Sequence, residues 1–255
     1  MNDTTTPRSP WLVRYGPDTA RVRLIGFPHA GGAATVFYPW SAVLQPDVAV
    51  HGVQLPGRED RWREAPVRRV DDVVAAVADA LGVLDQRPFV LFGHSLGALL
   101  AFELARHLRR AGRPGPAALI VSARPAPHVL SRAPALAHLS PEALVLRVSQ
   151  LYGGIPPAVR EDPELVALMG RALQADLSLL ERHDYVSEEP LPCPLVACGG
   201  LDDPWVAPGE LDAWRQHASG AFTRHDFPGG HFYFRSPEAQ ASVLAVVREY
   251  AGAAW

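Results

Sequence analysis

Short apolar runs rich in β-branched residues alternate along the chain with segments in which apolar residues recur at helical spacing. The apolar runs predict six strands: Arg21–Phe27, Val48–Leu55, Pro88–Gly93, Ala117–Ala123, Pro194–Gly199 and, from a weaker pattern, Ala221–Phe227. Helical spacing follows Asp71 and Ser95 and returns near the end, where Ser236 is suited to cap a helix N-terminus. Strands separated by helices predict a mostly parallel sheet covered on both faces, and therefore an α/β fold.

The alternation is interrupted between about residues 125 and 190, where no convincing strand pattern is found. Two amphipathic helices are predicted there, in "SPEALVLRVSQLYGG" and "DPELVALMGRALQADLSLLERHDY", and proline clusters border the segment on both sides. We therefore expect residues 1–255 to form a single domain with a helical insertion over about 125–190. This insertion is either a lid over the carboxyl edge of the sheet or a helical subdomain with no gating role.

The sequence "GHSLG" places Ser95 between a predicted strand and a predicted helix. It matches G-x-S-x-G, in which a sharp strand-to-helix turn presents the serine hydroxyl at the edge of a sheet. Gly93 and Gly97 lack the β-carbons that would collide with neighbouring elements in such a turn. The pattern predicts a nucleophile at Ser95, and a structural serine in a glycine turn is the alternative.

A serine nucleophile needs a base that takes its proton and an acid that orients the base. With this order of elements the base follows the last strand, where "FPGGHFYF" places His231 after a glycine pair. His94 adjoins the serine, but its side chain should diverge at the turn, so we expect a structural role for it. The acid should come between serine and base in chain order, and "CGGLDDPWV" offers two carboxylates. Asp203 is preferred because the following proline fixes the loop after it, whereas Asp202 is expected to face solvent or cap the turn.

Two backbone N–H groups are expected to stabilise the oxyanion that forms when the serine attacks an acyl group. One is the N–H of Leu96, directly after the serine, and the other is the N–H of Ala30 in the glycine-rich loop "FPHAGGAATVF". Such a loop can instead bind phosphate, but the sequence has neither the P-loop lysine pattern nor G-x-G-x-x-G. We therefore predict an oxyanion hole.

Composition narrows the classes of function. Hydrophobic residues make up 48% and charged residues 20%, as in an ordinary globular protein, and the net charge of −3 gives no argument for nucleic acid or an anionic membrane as a partner. The N-terminal "MNDTTTPRSPWLVRYG" has no apolar core of signal-peptide length, and no apolar run is long enough to span a bilayer. A cytoplasmic location is therefore the default expectation.

The sequence gives no sign of a disulfide bond, a metal site or a bound cofactor. Cys193 and Cys198 lie five positions apart on a predicted strand, so their side chains point to opposite faces and cannot bridge. We expect both to be buried thiols. No CxxC, HExxH or acidic calcium loop is found, so neither a metal nor a cofactor is expected.

Five stretches together resemble one family: "FPHAGGAATVFYPW", "LPGREDRWREAP", "GHSLGALLAFELAR", "GLDDPWV" and "GGHFYF". They are similar to motifs of the type II thioesterases of polyketide and nonribosomal peptide biosynthesis, which are discrete α/β-hydrolase proteins. The likeness extends from about Val22 to Ala251, and the first two motifs are much more specific to this family than the serine turn.

The resemblance implies a function and a partner. The implied activity is hydrolysis of acyl groups from the phosphopantetheine arm of acyl or peptidyl carrier proteins, which clears mis-primed or stalled synthases. The catalytic roles carried over fall on Ser95, Asp203 and His231, with the N–H groups of Ala30 and Leu96 as oxyanion donors. Two rival functions are a general carboxylesterase or lipase, which would use the same triad on oxygen esters, and a catalytically inactive binding protein. The intact set of candidate residues argues against the second rival.

Carrier proteins are typically acidic, so arginines near the mouth of the site could steer docking. The loop after the predicted strand Val48–Leu55 carries such a cluster: Arg58, Arg61, Arg63, Arg68 and Arg69. We expect this cluster to contribute to docking, and a solvated, salt-bridged loop is the alternative interpretation.

Overall fold

The computed structural model describes residues 9–17, 19–84 and 87–253, which fold around a seven-stranded sheet. Its strands are β1 (Leu12–Tyr15), β2 (Val22–Phe27), β3 (Val48–Val53), β4 (Phe89–His94), β5 (Ala118–Ser122), β6 (Leu195–Gly200) and β7 (Phe222–Phe227). They lie in the order β1-β3-β2-β4-β5-β6-β7. β1 runs antiparallel to β3, and the other neighbouring pairs are parallel. The predicted mostly parallel α/β fold is confirmed.

The helices are α1 (Tyr38–Leu44), α2 (Val70–Val83), α3 (Leu96–Arg110), α4 (Pro141–Tyr152), α5 (Pro157–Arg160), α6 (Pro163–Glu181), α7 (Pro208–Asp212) and α8 (Pro237–Gly252). All six predicted strands are confirmed, with ends that differ by one or two residues. The sequence pattern misses β1, whose four residues are all partly exposed, and it misses the short helices α1, α5 and α7. Elements of this length hold too few residues to establish a period.

Helices cover both faces of the sheet, which is why β2, β3, β5 and β6 are buried along their whole length instead of alternating. Successive residues of β2 show the two faces. Ile25 packs in the core that includes α2 and α3, and Leu24 packs in the core that includes α1 and α8. The loops that leave the carboxyl ends of the parallel strands gather at one edge of the sheet, where ligands bind in folds of this kind.

Residues 123–194, the segment between β5 and β6, contain α4, α5 and α6, and we refer to this segment as the helical insertion. Asp162 caps α6, since its carboxylate accepts a hydrogen bond from the N–H of Glu164 at 2.8 Å. α4 and α6 pack on each other around a small apolar core that includes Leu144 and Leu173. The insertion therefore has a core of its own beside the two cores of the sheet.

Three findings concern membranes, metals and thiols. Across the described part of the chain, no helix combines the length and the apolarity needed to span a bilayer. Within the same residues, no group of three or more His, Cys, Asp or Glu side chains is placed to hold a metal ion. Cys193 and Cys198 are buried free thiols, as expected, and burial raises their pKa to about 11 and about 12, respectively.

Candidate active site

Ser95 forms the turn between β4 and α3, at the carboxyl edge of the sheet. Its backbone has φ 56° and ψ −111°, a strained conformation for a residue with a side chain. The Ser95 N–H donates to the Ser122 carbonyl at 2.8 Å, which fixes the turn to β5. A β-carbon on Gly97 would lie 2.1 Å from the carbonyl oxygen of Phe27, so α3 can begin beside β2 only with glycine here. The sharp turn predicted from the motif is present.

A chain of buried polar side chains lies beneath this turn. His94 Nδ1 and Ser122 Oγ are 2.8 Å apart, and Ser122 Oγ and the Tyr233 hydroxyl are 2.7 Å apart. Burial lowers the pKa of His94 well below its ordinary value, and the neighbouring His231 adds to the effect. The neutral His94 ring packs against Phe234, with ring centroids 4.6 Å apart. These contacts fit the structural role expected for His94.

His231, in the loop after β7, is joined to Asp203, in the loop after β6, by a 2.8 Å hydrogen bond between Nδ1 and Oδ2. The Asp203 side chain is 0% exposed and that of His231 is 7% exposed. The second carboxylate oxygen of Asp203 accepts the N–H of Trp205 at 3.0 Å, which fixes its orientation. Asp202 is exposed, and its carboxylate accepts the N–H of Gly229 at 3.3 Å. The geometry therefore favours Asp203 over Asp202 as the partner of the imidazole.

The loops that carry this acid and this histidine touch through glycines. A β-carbon on Gly200 would lie 2.3 Å from the carbonyl oxygens of both Gly229 and Gly230. Gly229 has φ 110°, a value that glycine adopts at little cost. Its carbonyl accepts the N–H of Asp202 at 2.9 Å. The glycine pair before the histidine therefore brings the two loops together.

Ser95 and His231 line one cavity of about 600 Å³, although 136 positions separate them in the chain. Tyr152, at the end of α4, places its ring 5.0 Å from the His231 ring between centroids. The helical insertion supplies most of the apolar wall, including Val148, Leu173, Leu177 and Leu180. The nucleophile and the base predicted from the sequence therefore face the same space.

The loop after β2 brings Ala30 to the wall of this cavity. The neighbouring Gly31 N–H is occupied, because it donates to the carboxylate of Asp176 at 2.8 Å. Leu96 is the first residue of α3, where N–H groups have no acceptor within the helix. The N–H groups of Ala30 and Leu96 are thus the candidate oxyanion donors.

A buried ion pair that the sequence analysis did not predict holds the loop after β2. The carboxylate of Asp176, a residue of α6 that is 2% exposed, accepts hydrogen bonds from Arg58 Nη1 and Nη2 at 2.6 and 2.7 Å. Arg58 Nη1 also donates to the Gly32 carbonyl at 2.8 Å. The available signal was a carboxylate among Leu173 and Leu180 on the apolar face of α6, since a buried charge needs a partner.

The docking hypothesis is wrong for two of its five arginines. Arg58 and Arg61 are each 6% exposed. Arg58 is bound to Asp176, and Arg61 donates to the Gln54 carbonyl at 2.8 Å and to Glu64 at 2.6 Å. Their guanidinium groups stabilise loops inside the protein and are not available to a partner. The members of the cluster that have exposed side chains are Arg63, Arg68 and Arg69.

Three residues that line the cavity have shifted pKa values, and one of the three is charged at physiological pH. Burial, followed by the charge of Arg235, lowers the pKa of His29 to about 3, so this ring is neutral at physiological pH. Burial and the charge of Asp203 raise the pKa of Tyr152 to about 12. Burial lowers the pKa of Arg124 to about 10, which leaves its guanidinium positively charged. The sequence pattern offered no signal for Tyr152 or Arg124, which stand at a helix end and at a proline-rich border.

Comparison with known proteins identifies the family. The thioesterase domain model matches residues 22–250. The gramicidin S biosynthesis protein GrsT of Aneurinibacillus migulanus is 36% identical over 224 residues, 88% of this chain and 87% of the relative. Thioesterase PikA5 of Streptomyces venezuelae is 37% identical over 226 residues, 88% of this chain and 79% of the relative.

Solved structures give the same result. The type II thioesterase BorB from the borrelidin biosynthetic cluster matches with a TM-score of 0.86 and 40% identity, covering 94% of this chain and 97% of that chain. YbtT, a type II thioesterase from the yersiniabactin NRPS/PKS pathway, matches with a TM-score of 0.83 and 29% identity, covering 96% of this chain and 100% of that chain. The chain therefore belongs to the thioesterase family, and its structural neighbours include the type II thioesterases that its sequence resembles.

Proposed function

We propose that the protein is a serine thioesterase that hydrolyses acyl groups from the phosphopantetheine arm of acyl or peptidyl carrier proteins. By doing so it removes aberrant or stalled acyl groups from polyketide or nonribosomal peptide synthases, and it works with them in the cytoplasm. The observation that carries the proposal is the Asp203–His231 pair, 2.8 Å apart, beside the cavity that Ser95 also lines. Family membership and relatives such as GrsT, named for gramicidin S biosynthesis, support the substrate class.

The first half of the reaction transfers the acyl group to the enzyme. Ser95 Oγ forms a bond to the thioester carbonyl carbon as His231 Nε2 takes the hydroxyl proton. Nε2 is the acceptor because Nδ1 is bound to Asp203, whose buried carboxylate holds the tautomer and stabilises the imidazolium. The C–S bond then breaks, and His231 passes its proton to the departing pantetheine sulfur.

The second half releases the acid. Water attacks the acyl-serine carbonyl while His231 takes a proton from the water, and the proton then returns to Ser95 Oγ as the ester bond breaks. In both halves the carbonyl oxygen becomes an anion, which the N–H groups of Ala30 and Leu96 stabilise in this proposal. One such donor contributes about 3 kcal/mol in serine hydrolases.

The acyl group lies in the cavity of about 600 Å³ beneath the helical insertion. Leucine and valine side chains of the insertion bury its apolar part, and exclusion of water strengthens the hydrogen bonds to the oxyanion. The general carboxylesterase is not favoured, because the family and the neighbouring structures are thioesterases.

The direct test uses carrier proteins loaded with a series of acyl groups and follows the acyl-phosphopantetheine mass over time. We expect the wild-type protein to release acyl groups, and Ser95→Ala to lose at least roughly 10³-fold in rate because no other group can form the acyl-enzyme. Ser242→Ala is a matched control, since Ser242 is an exposed residue of α8 whose hydroxyl donates to the Glu238 carbonyl. Equal release by wild type and Ser95→Ala contradicts the proposal.

A second comparison separates thioester from oxygen-ester chemistry. The same acyl group is presented as an acyl-carrier protein, an acyl-pantetheine and a p-nitrophenyl ester. We expect kcat/KM to be highest for the carrier-bound thioester. A preference for the p-nitrophenyl ester over both thioesters would instead assign the protein to the carboxylesterases.

A further inference from the structure

The end of α4 is the part of the helical insertion that packs against the candidate base. Tyr152, the last residue of α4, places its ring 5.0 Å from the ring of His231, measured between centroids, with an angle of 62° between the two planes. An edge-to-face arrangement at this distance is favourable between aromatic rings. The proposed mechanism gives this tyrosine no role, although its ring contacts the imidazole that moves the proton.

Trp205 connects the end of α4 to the loop that carries the candidate acid. The rings of Trp205 and Tyr152 lie 5.6 Å apart between centroids, and the indole N–H donates to the Leu151 carbonyl at 3.4 Å. The backbone N–H of the same tryptophan donates to the Asp203 carboxylate at 3.0 Å. One residue therefore contacts both the acid and the part of α4 that packs on the base.

A second contact joins the end of α4 to the loop after β7. Two glycines follow the helix, with φ 66° at Gly153 and 83° at Gly154, values that glycine adopts at little cost. The Gly154 carbonyl accepts a hydrogen bond from Arg235 Nη1 at 3.0 Å. The guanidinium carbon of Arg235 also lies 4.2 Å from the ring centroid of Phe232, which directly follows the candidate base. The chain after α4 is thus fixed on the loop that carries this base.

The imidazole of His231 needs packing as well as its hydrogen bond. The bond from Nδ1 to Asp203 fixes one atom of the ring but leaves the ring able to swing about that bond. The rings of His94, Phe232 and Tyr152 lie 5.1, 5.2 and 5.0 Å away, and together they limit this motion. Of these three neighbours, Tyr152 is the one that the helical insertion supplies.

We propose that Tyr152 is a positioning residue, whose ring keeps Nε2 of His231 directed at Ser95 and shields the hydrogen bond between His231 and Asp203 from water. This proposal rests on the proposed function and gives the helical insertion a part in positioning the base, beyond forming a wall for the acyl group. The phenol is not a second base. Burial and the charge of Asp203 raise its pKa to about 12, so it stays protonated at physiological pH.

The first test separates positioning of the base from binding of the acyl group. Tyr152→Leu removes the ring and keeps an apolar side chain, whereas Tyr152→Phe keeps the ring. With acetyl-, hexanoyl- and decanoyl-pantetheine, we expect Tyr152→Leu to lower kcat by roughly tenfold or more, and by the same factor for each acyl group. The factor is the same because His231 acts on every substrate and in both halves of the reaction. Tyr152→Phe should keep kcat within about threefold.

Two other variants show what a wall residue and a distant tyrosine do. Val148 lies one turn before Tyr152 on α4 and lines the same cavity. Val148→Ala should raise KM for decanoyl-pantetheine more than for acetyl-pantetheine, because it changes the wall alone. Tyr38→Leu is the matched control, since Tyr38 is 64% exposed on α1 and its loss should leave kcat and KM unchanged.

The second test observes the hydrogen bond itself and needs no turnover. A proton held between an imidazole nitrogen and a carboxylate gives a proton NMR signal far downfield, and loss of the signal in His231→Gln assigns it. We expect a sharp signal in the wild type and in Tyr152→Phe, and a signal broadened by exchange with water in Tyr152→Leu. The proposal is overturned if the signal is equally sharp in Tyr152→Leu, or if water exchange already removes it in the wild type.

The kinetic results can overturn the proposal in two ways. A loss in Tyr152→Leu that falls on KM and grows with acyl length would make Tyr152 a wall residue like Val148. An equal loss of kcat in Tyr152→Phe and Tyr152→Leu would assign the effect to the hydroxyl and not to the ring. If Tyr152→Leu does not fold, Tyr152→Met takes its place, since methionine favours helices and fills gaps.

Failure of this inference is distinguishable from failure of the proposed function. A wild-type protein that hydrolyses no acyl-pantetheine and no acyl-carrier protein removes the proposed function, and with it a positioning role in that reaction. Hydrolysis by the wild type together with unchanged kcat in Tyr152→Leu overturns the inference alone.

Discussion

At the scale of single residues, the two adjacent carboxylates after β6 show how burial selects one of two chemically equal groups. Asp203 is enclosed and has both oxygens engaged, one by His231 and one by the N–H of Trp205. Asp202 faces solvent and closes the turn with Gly229. A buried carboxylate holds an imidazole in one tautomer far more strongly than an exposed one, because water does not screen its charge.

This difference predicts unequal effects of two matched substitutions. Asp203→Asn keeps the shape of the side chain but favours the wrong tautomer of His231, so kcat should fall by roughly 10³- to 10⁴-fold, as in other serine hydrolases. Asp202→Asn should retain kcat within about threefold, because that residue caps a turn. Release of thiol from an acyl-pantetheine measures both. Comparable losses in the two variants would contradict the assignment of Asp203.

Which residues the sequence could predict follows from where their signals lie. Ser95 and His231 stand in motifs with a required chain order, so their convergence on one cavity could be predicted from the sequence alone. Arg58 and Asp176 bind each other across 118 positions. The apolar face of α6 marks Asp176 as a charge that needs a partner, but no local pattern identifies Arg58 as that partner. The sequence therefore cannot distinguish Arg58 from a surface charge.

At the scale of elements, burial on both faces makes the strands of the parallel sheet recognisable as apolar runs, whereas the partly exposed edge strand β1 has no such pattern. The hydrophobic pattern also gives no sign of a contact between α6 and the loop after β2. α6 belongs to the helical insertion, yet its Asp176 binds Arg58 and the Gly31 N–H at once. The insertion is thereby joined to the loop that carries Ala30, one of the candidate oxyanion donors.

We expect Asp176→Leu to lower the free energy of unfolding by about 3 kcal/mol or more, because Arg58 stays buried without its partner. It should also lower kcat, because leucine has no acceptor for the Gly31 N–H and the loop after β2 loses this anchor. Urea unfolding and thiol release measure the two effects.

A double variant separates stability from positioning. Arg58→Met with Asp176→Leu replaces the whole pair by apolar groups, so much of the unfolding free energy should return. The Gly31 N–H still lacks its acceptor in this variant, so kcat should remain low. Recovery of kcat together with stability would mean that the ion pair has no positioning role.

At the scale of the whole molecule, burial keeps three histidines neutral. It lowers the pKa of His29 to about 3 and of His217 to about 4, and it lowers that of His94 as well. Their ordinary pKa is 6.5, so the unfolded chain binds these protons first as the pH falls. Their contribution to stability is therefore complete above about pH 6.5 and is lost as the pH falls toward about 4.

The unfolding free energy should accordingly decrease between pH 7 and pH 4.5, by at most about 1.4 kcal/mol per pH unit for each of these histidines. Urea titrations at half-unit intervals measure the slope. His217→Gln should lower this slope by up to about 1.4 kcal/mol per pH unit, the contribution of one proton. His217 lies apart from the other two histidines, in a cluster with His128, whose ring nitrogen is 2.8 Å from that of His217. The exposed His138 provides the control, since His138→Gln should keep the wild-type slope. Identical slopes in wild type and His217→Gln would show that His217 does not supply this pH dependence.

The clasp formed by Asp176 and Arg58 also limits how the insertion can be exchanged between relatives. A chimera that takes residues 123–194 from another thioesterase receives a new apolar wall of the cavity. It also receives a new side chain on α6 at the position that contacts Arg58. Unless that side chain is a carboxylate at the position of Asp176, Arg58 stays buried without a partner and the loop that carries Ala30 loses its anchor. An exchange of this segment between relatives should therefore transfer the residues at positions 58 and 176 together.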